Sequence, residues 1–488
     1  MNALETDVAI IGAGTAGLSA YRAARNGGAR ATLIEGGPYG TTCARVGCMP
    51  SKLLIAAAEA AHAVATAPRF GIYPSGDIRI DGRAVLDRVR RERDRFVAFV
   101  LGDVERIPAI DRVRGCAKFV DDHTLDVDGH TRVVARAIVI ATGSHPHIPG
   151  ALANLADRLI VNDDVFELED LPESVAVIGP GIIGLELGQA LHRLGVRVSI
   201  FGRGGRVGPI GDPEILDCAI ATFREELTLE PDAHIAEMRL EGDRVAIRRA
   251  GSDGASRVES YDYAMACTGR APNVAGLGLE NTSAKLGNKG VPAFDPLTAQ
   301  VRSREPGAAA ASGASLGTSI FIAGDAGDFV PVLHEAADGG RIAGASAAAM
   351  ALGRPIATGL RRAPLEIVFT DPQIAIVGGG FRALQAGAFS IGEASFENQG
   401  RARILLRNKG LIKVYADTAT TRFLGAEMVA PQAEHLAHLL GWALQNRMTI
   451  GAMLEMPYYH PVLEEGLRTA LRTADSRLRR MQPDADND

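Results

Sequence analysis

Two thiols five residues apart, Cys43 and Cys48, lie in the run Gly40-Thr41-Thr42-Cys43-Ala44-Arg45-Val46-Gly47-Cys48-Met49-Pro50-Ser51-Lys52. Such a pair can cycle between dithiol and disulfide, moving two electrons through thiolate exchange. On a straight helix, residues five apart are separated by roughly 7.5 Å along the axis, beyond the ~4.4–6.8 Å between the Cα atoms of a disulfide. A bridge therefore requires a distorted first turn, and Gly40 and Gly47 supply the backbone freedom for it. Exchange also needs a proton carrier. His460, in Pro457-Tyr458-Tyr459-His460-Pro461-Val462-Leu463-Glu464-Glu465-Gly466, carries an imidazole, a group able to take up and return a proton. Lys52 follows Cys48 by four residues, so on a helix the two share a face.

These groups must be held by ordered elements, and the flanking sequence supplies them. Asp7-Val8-Ala9-Ile10-Ile11 reads as a strand, followed by Gly12-Ala13-Gly14-Thr15-Ala16-Gly17, a helix to about Asn26, and a strand Ala31-Thr32-Leu33-Ile34-Glu35. This is a βαβ unit with an acid about 20 residues beyond the glycines. Gly12 and Gly14 let backbone approach a pyrophosphate, Gly17 allows close helix–strand packing, and Glu35 can accept from ribose hydroxyls. The pattern recurs at Ser174-Val175-Ala176-Val177-Ile178, then Gly179-Pro180-Gly181-Ile182-Ile183-Gly184, a helix and Val196–Phe201. Two such units imply two dinucleotides. From about Pro364 the pattern changes to strand-like runs, Glu366–Phe369 and Gly410–Tyr415, with helical stretches after Gln432.

Length and composition bound the alternatives. A chain of 488 residues predicts about three domains, and 47% apolar with 23% charged residues describes an ordinary globular protein. The net charge of −6 offers no basic footprint for nucleic acid. Cys116, Cys218 and Cys267 are scattered, so the five cysteines form no secreted disulfide framework. No basic region precedes the first apolar stretch, and no run of about 18 apolar residues predicts a membrane span. A cytoplasmic protein without membrane association is expected. His145-Pro146-His147 lacks clustered companions at ligand spacing, so no metal site is expected.

The thiol run, both glycine loops and the His-Pro-x-x-x-Glu ending together resemble the class I pyridine nucleotide–disulfide oxidoreductases, and among them most of all the dihydrolipoamide dehydrogenases. Ile138-Val139-Ile140-Ala141-Thr142-Gly143 and Ala264-Met265-Ala266-Cys267-Thr268-Gly269-Arg270 resemble the boundary motifs that close the two dinucleotide units, and Phe321-Ile322-Ala323-Gly324-Asp325 resembles the second FAD motif. The resemblance implies an α/β fold with two Rossmann-like domains and a C-terminal α+β dimerisation domain. It places the FAD domain at 1–147, the NAD(P) domain at 148–273, the second part of the FAD/central domain at 274–355 and the dimerisation domain at 356–488. FAD would meet Gly12, Gly14, Gly17, Glu35, Lys52, Gly143 and Asp325; the nicotinamide would meet Gly179, Gly181, Gly184, Arg203 and Gly269. Cys48 would lie nearest the flavin and Cys43 would exchange with substrate sulfur. His460, oriented by Glu465, would carry the proton across a homodimer interface. Lys52, paired with Glu186, would stand near the flavin.

The sequence departs from that pattern in three places. Gly202, in Phe201-Gly202-Arg203-Gly204-Gly205-Arg206, stands where NAD-selective relatives carry an acid, and Arg203 and Arg206 could welcome NADP. The third glycine, Gly184, favours NAD, so NAD is expected with NADP use open. Tyr458-Tyr459-His460-Pro461-Val462 and Ala44-Arg45 differ from the usual dihydrolipoamide dehydrogenase residues near the substrate entrance. The expected activity is oxidation of dihydrolipoamide, free or on a lipoyl domain of a multienzyme complex, through Cys43 and Cys48 and FAD to NAD. A glutathione-reductase-like enzyme using NADPH, or a flavoprotein subunit of a multienzyme complex, are the alternatives. Because no cysteine follows Cys267, a mercuric reductase or a large thioredoxin reductase is disfavoured; a soluble transhydrogenase lacks the cysteine pair. The segment 302–317 reads as a longer surface loop.

Overall fold

A computed structural model describes residues 2–76, 79–250, 255–287, 289–304, 317–328 and 330–481. The loop expected at 302–317 falls largely outside them. The chain divides into two compact units, one made of Met1–Pro50, Val89–His147 and Arg270–Arg361, the other of Ser51–Arg88, Ile148–Gly269 and Arg362–Asp488.

The first unit is built on a sheet in the order Gln300–Arg302, Gly317–Ile322, Thr131–Ile140, Asn2–Ile11, Ala31–Glu35, Arg112–Arg114. Its central strands are parallel and covered on both faces, which is why Val8, Ala9, Ile10, Leu33, Ile138 and Val139 are fully buried without a polar alternation. Each such Val, Leu or Ile side chain contributes about 1.5–3 kcal/mol. The helix Thr15–Asn26 packs on Leu333–Ala351 at very short range. A Cβ on Gly340 would fall 2.2 Å from the Ala16 carbonyl oxygen, and one on Gly344 2.2 Å from that of Ala20. The small residues in both helices are thus a packing requirement.

The second unit holds a parallel sheet in the order Thr228–Glu230, Arg197–Phe201, Ser174–Ile178, Tyr263–Ala266, Leu159–Ile160. It also holds an antiparallel three-stranded sheet, Ile235–Glu241, Arg244–Ala250 and Ser256–Tyr261. Its C-terminal part is an antiparallel sheet ordered Leu365–Val368, Gln373–Val377, Phe423–Ala430, Leu411–Asp417, Phe389–Ser395, packed against Ala433–Gln445 and Glu464–Met481. The α/β class and the two dinucleotide units expected from sequence are present, as are the strands expected near 366 and 411.

Candidate redox and dinucleotide sites

Cys43 lies in the short helix Thr42–Val46, half-buried, and Cys48 opens the 19-residue helix Cys48–Thr66, exposed. The distortion that the spacing requires takes the form of a complete break at Gly47 between these two helices. A Cβ on Gly47 would stand 3.1 Å from both Cys43 Cα and the Thr42 carbonyl oxygen, so the chain doubles back closely on the first cysteine. Thr41 starts the first helix, its hydroxyl accepting from Ala44 N–H at 3.3 Å, and Gly40 adopts φ +119°, open to glycine at little cost.

In the second unit Lys52 Nζ donates to Glu186 Oε2 at 2.6 Å, with Glu186 only 4% exposed and Lys52 33% exposed. The other carboxylate oxygen accepts from Phe369 N–H at 2.9 Å, and the Phe369 ring centroid lies 4.6 Å from Lys52 Nζ. The ammonium therefore has an anion and a π face as neighbours. The same helix face, Ile182–Arg193, holds the segment after Phe369 through Gln189 and Arg193. Gln189 Oε1 accepts from Asp371 N–H at 2.8 Å, while Arg193, its side chain 6% exposed, donates to Glu226 at 2.6 Å and to Asp371 at 3.3 Å. Burial alone would raise the Glu226 carboxyl; hydrogen bonds and charge from Arg193 more than reverse this and leave it below its ordinary value.

The two glycine loops share one geometry. A Cβ on Gly12 would lie 2.3 Å from the Ala141 carbonyl oxygen, and one on Gly179 2.4 Å from that of Cys267. A Cβ on Gly17 would lie 1.8 Å from the Gly12 carbonyl oxygen, and one on Gly184 2.0 Å from that of Gly179. The first glycine of each loop is thus demanded by the neighbouring strand as well as by its positive φ, a packing role beyond the pyrophosphate approach expected from sequence. At Gly14 and Gly181, by contrast, a Cβ would meet no backbone or side chain closer than 3.9 Å. Each is the N-cap of a 12-residue helix without a side-chain cap, which leaves the first amide N–H groups to a ligand. Both loops fit a dinucleotide pyrophosphate.

The strand ends differ. Glu35 Oε2 accepts from Ala13 N–H at 2.7 Å and Oε1 from Gly37 N–H at 2.6 Å, so its carboxylate is fixed over the first loop with lone pairs to spare for ribose hydroxyls. At the matching place in the second unit a Cβ on Gly202 would fall 2.5 Å from the Pro231 carbonyl oxygen and 2.6 Å from Pro180 Cγ. The glycine there is a steric necessity. Arg203 and Arg206 are exposed, and neither side chain forms an ion pair among the described residues.

Asp325 Oδ2 accepts from Ser144 Oγ at 2.6 Å, and Arg270 Nε donates to that same hydroxyl at 2.8 Å. Thr142 and Asn273 are joined by two hydrogen bonds, of 2.7 and 3.0 Å. Gly143 and Gly269 have φ of +70° and +107°, turning the chain at the two boundary motifs. Ser144 and Asn273 carried no recognisable signal of their own; Ser144 follows the Ala141-Thr142-Gly143 run, and only the pairing of Ser144–Pro146 with Arg270–Pro272 brings it to Asp325.

His460 Nδ1 lies 3.0 and 3.2 Å from the two oxygens of Glu465, and Glu465 Oε2 also accepts from Val462 N–H at 3.2 Å. The hydrogen bond from His460, then that from Val462 N–H, hold the Glu465 carboxyl below its ordinary range. The ring is exposed, which leaves Nε2 available. Helix Ala433–Gln445 exposes Leu439 and Trp442 on one face, and Met456 and Tyr459 are exposed as well. Among the described residues no group of three or more His, Cys, Asp or Glu could hold a metal ion, and no helix is long and apolar enough to cross a membrane.

Two dinucleotide loops, a cysteine pair on broken helices and a C-terminal sheet domain define a flavoprotein disulfide oxidoreductase. Residues 6–304 match the family described as pyridine nucleotide-disulphide oxidoreductase and residues 365–471 match its dimerisation domain, so the chain belongs to this family. FAD and NAD(P) are its cofactors, and its dimerisation domain supports a homodimer. It is similar to mercuric reductase of Shigella flexneri, 32% identical with 97% of this chain and 82% of that protein covered. It is also similar to dihydrolipoyl dehydrogenase of Chlamydia trachomatis, 28% identical with 97% of each chain covered. The structure of LpdA from Mycobacterium tuberculosis superposes with a TM-score of 0.78 at 25% identity, covering 97% of this chain and 99% of that one. The HOCl-induced flavoprotein disulfide reductase RclA from Escherichia coli, solved as a Cu(II) complex, shares the fold with a TM-score of 0.78 at 21% identity over 97% and 99% of the two chains.

Proposed function

We propose that this chain is a homodimeric dihydrolipoyl dehydrogenase-type enzyme that oxidises dihydrolipoyl groups through Cys43 and Cys48 and delivers the electrons to NAD. The observation that carries this reading is the His460–Glu465 dyad, intact in a chain that also presents the cysteine pair. Glu465 holds Nδ1 and stabilises the imidazolium, so Nε2 is the atom that takes and returns a proton. A substrate thiol loses its proton to Nε2 and attacks the Cys43 sulfur of the disulfide form, releasing Cys48 as thiolate. The second substrate thiol then attacks the substrate sulfur of the mixed disulfide and gives its proton to the departing Cys43, closing the oxidised substrate ring and leaving Cys43 as a thiol beside the Cys48 thiolate. FAD, when bound, supplies the two-electron relay between the dithiol and the nicotinamide. Gly12, Gly14, Gly17, Glu35, Gly143 and Asp325 are the residues we assign to holding it.

A second reading is an NADPH-dependent reductase. Arg203 and Arg206, exposed and in no ion pair among the described residues, favour it, as does the similarity to mercuric reductases. The test is a steady-state assay of the FAD-loaded dimer with dihydrolipoamide and NAD, comparing wild type with Cys48→Ser and His460→Gln. NAD reduction lost in both variants supports the proposal. An inactive wild type that instead oxidises NADPH on addition of glutathione disulfide or Hg(II) refutes it in favour of the second reading.

A further inference from the structure

The two dinucleotide units can be aligned residue by residue from their ladders. Ile11 pairs with Ile34 in the first, and Ile178 pairs with Phe201 in the second. Gly12 N–H donates to the Ile34 carbonyl and Gly179 N–H to that of Phe201, both at 2.8 Å. Glu35 therefore corresponds to Gly202, Gly37 to Gly204 and Ala13 to Pro180. In the first unit the Glu35 carboxylate binds the N–H groups of Ala13 and Gly37. In the second, proline at 180 has no N–H to offer, and its ring together with the Pro231 carbonyl fills the space of a side chain at 202. The N–H of Gly204 is nevertheless bound by a carboxylate: Asp232 Oδ1 accepts from it at 2.7 Å. Asp232 is exposed and lies on the segment that crosses the end of strand Arg197–Phe201, where Gly202 N–H donates to the Glu230 carbonyl and Ala233 N–H to that of Gly202.

We propose that Asp232 replaces the missing strand-end acid. It accepts the ribose hydroxyls of the adenosine half of the nicotinamide dinucleotide and repels a 2′-phosphate, so that the unit prefers NAD despite Gly202. This rests on the assignment of the second loop to the nicotinamide cofactor. Arg203 and Arg206 stand on the same loop and act in the opposite sense, attracting phosphate. The position of Asp232 against Gly204 sets which wins at the ribose edge.

The test is calorimetric titration of the oxidised, FAD-loaded protein with NAD and with NADP, for wild type and Asp232→Asn. Asparagine keeps an acceptor for Gly204 N–H, so the loop stays closed while the charge is lost. Wild type should prefer NAD. The variant should bind NAD about tenfold more weakly, the loss of one charge-assisted hydrogen bond, and NADP no worse than before. In turnover, KM for NAD should rise with kcat little changed. A variant in which both nucleotides weaken equally has lost only loop structure, and the proposal falls. It falls equally if wild type prefers NADP. Failure of wild type to bind either nucleotide would overturn the underlying assignment of the second loop.

Discussion

Glu186 and Lys52 form an asymmetric pair, and the asymmetry predicts how two single substitutions must rank. At 2.6 Å the gross attraction is about 6 kcal/mol for an effective dielectric of ~20, most of it offset by desolvation. Lys52→Met leaves Glu186, 4% exposed, with Phe369 N–H as its remaining hydrogen-bond donor. Breaking a fully buried pair costs about 3–5 kcal/mol; with Lys52 one-third exposed, solvent screening reduces this to about 2–3 kcal/mol. Glu186→Gln leaves an ammonium that water can reach and a single acceptor oxygen for two donors, at a cost of about 1–1.5 kcal/mol. The double variant removes both charges and should cost about 1 kcal/mol, well below the sum of the singles. Urea unfolding of the FAD-loaded protein at pH 7, followed by circular dichroism, gives the midpoints, and a shared m-value converts them to free energies. A Glu186→Gln variant as damaged as Lys52→Met, or strictly additive effects, would show that the buried carboxylate does not govern this pair.

Four further outcomes are expected. Gly17→Ala forces a Cβ to 1.8 Å from the Gly12 carbonyl oxygen, so the helix must shift by ~1.5 Å and the purified protein should lack yellow flavin absorbance. Gly14→Ala meets no neighbour and should fold normally, its flavin content reporting only ligand approach. Because the Glu226 carboxyl is held below its ordinary value, its contribution is present above the unfolded pKa of about 4.3 and is lost as pH falls through the lower folded value. Arg193→Met leaves Glu226 and Asp371 partly open to water, so it should accordingly cost about 2–3 kcal/mol near pH 7 and progressively less below about pH 4, read from urea midpoints across pH. Trp442→Glu places a charge on an exposed apolar face of the dimerisation domain; sedimentation should show monomers, and turnover should fall with the dimer.

What the sequence determined by itself was whatever depends on short spacing. The Gly12-x-Gly14-x-x-Gly17 and Gly179-x-Gly181-x-x-Gly184 loops, the Cys43–Cys48 run with its glycines, and His460 five residues before Glu465 are legible because each acts through neighbours within one turn or loop. The break at Gly47 was implied by the same arithmetic, although only the structure shows two separate helices. The Lys52–Glu186 pair could be written down only by resemblance, since 134 residues separate its members. Phe369, which holds both of them, gave no sign of that role. Ser144 reaches Asp325 across 181 residues, through the pairing of two three-residue strands that carry no pattern. Gly202 looked like the loss of an acid. The fold instead brings Pro180 and Pro231 into the space of its side chain and sets Asp232 against Gly204, 28 residues earlier. Hydrogen bonds and steric exclusion act through space, so which carboxylate stands at the ribose edge was decided by the crossing of the 230–233 segment over the strand end and by nothing local to residue 202.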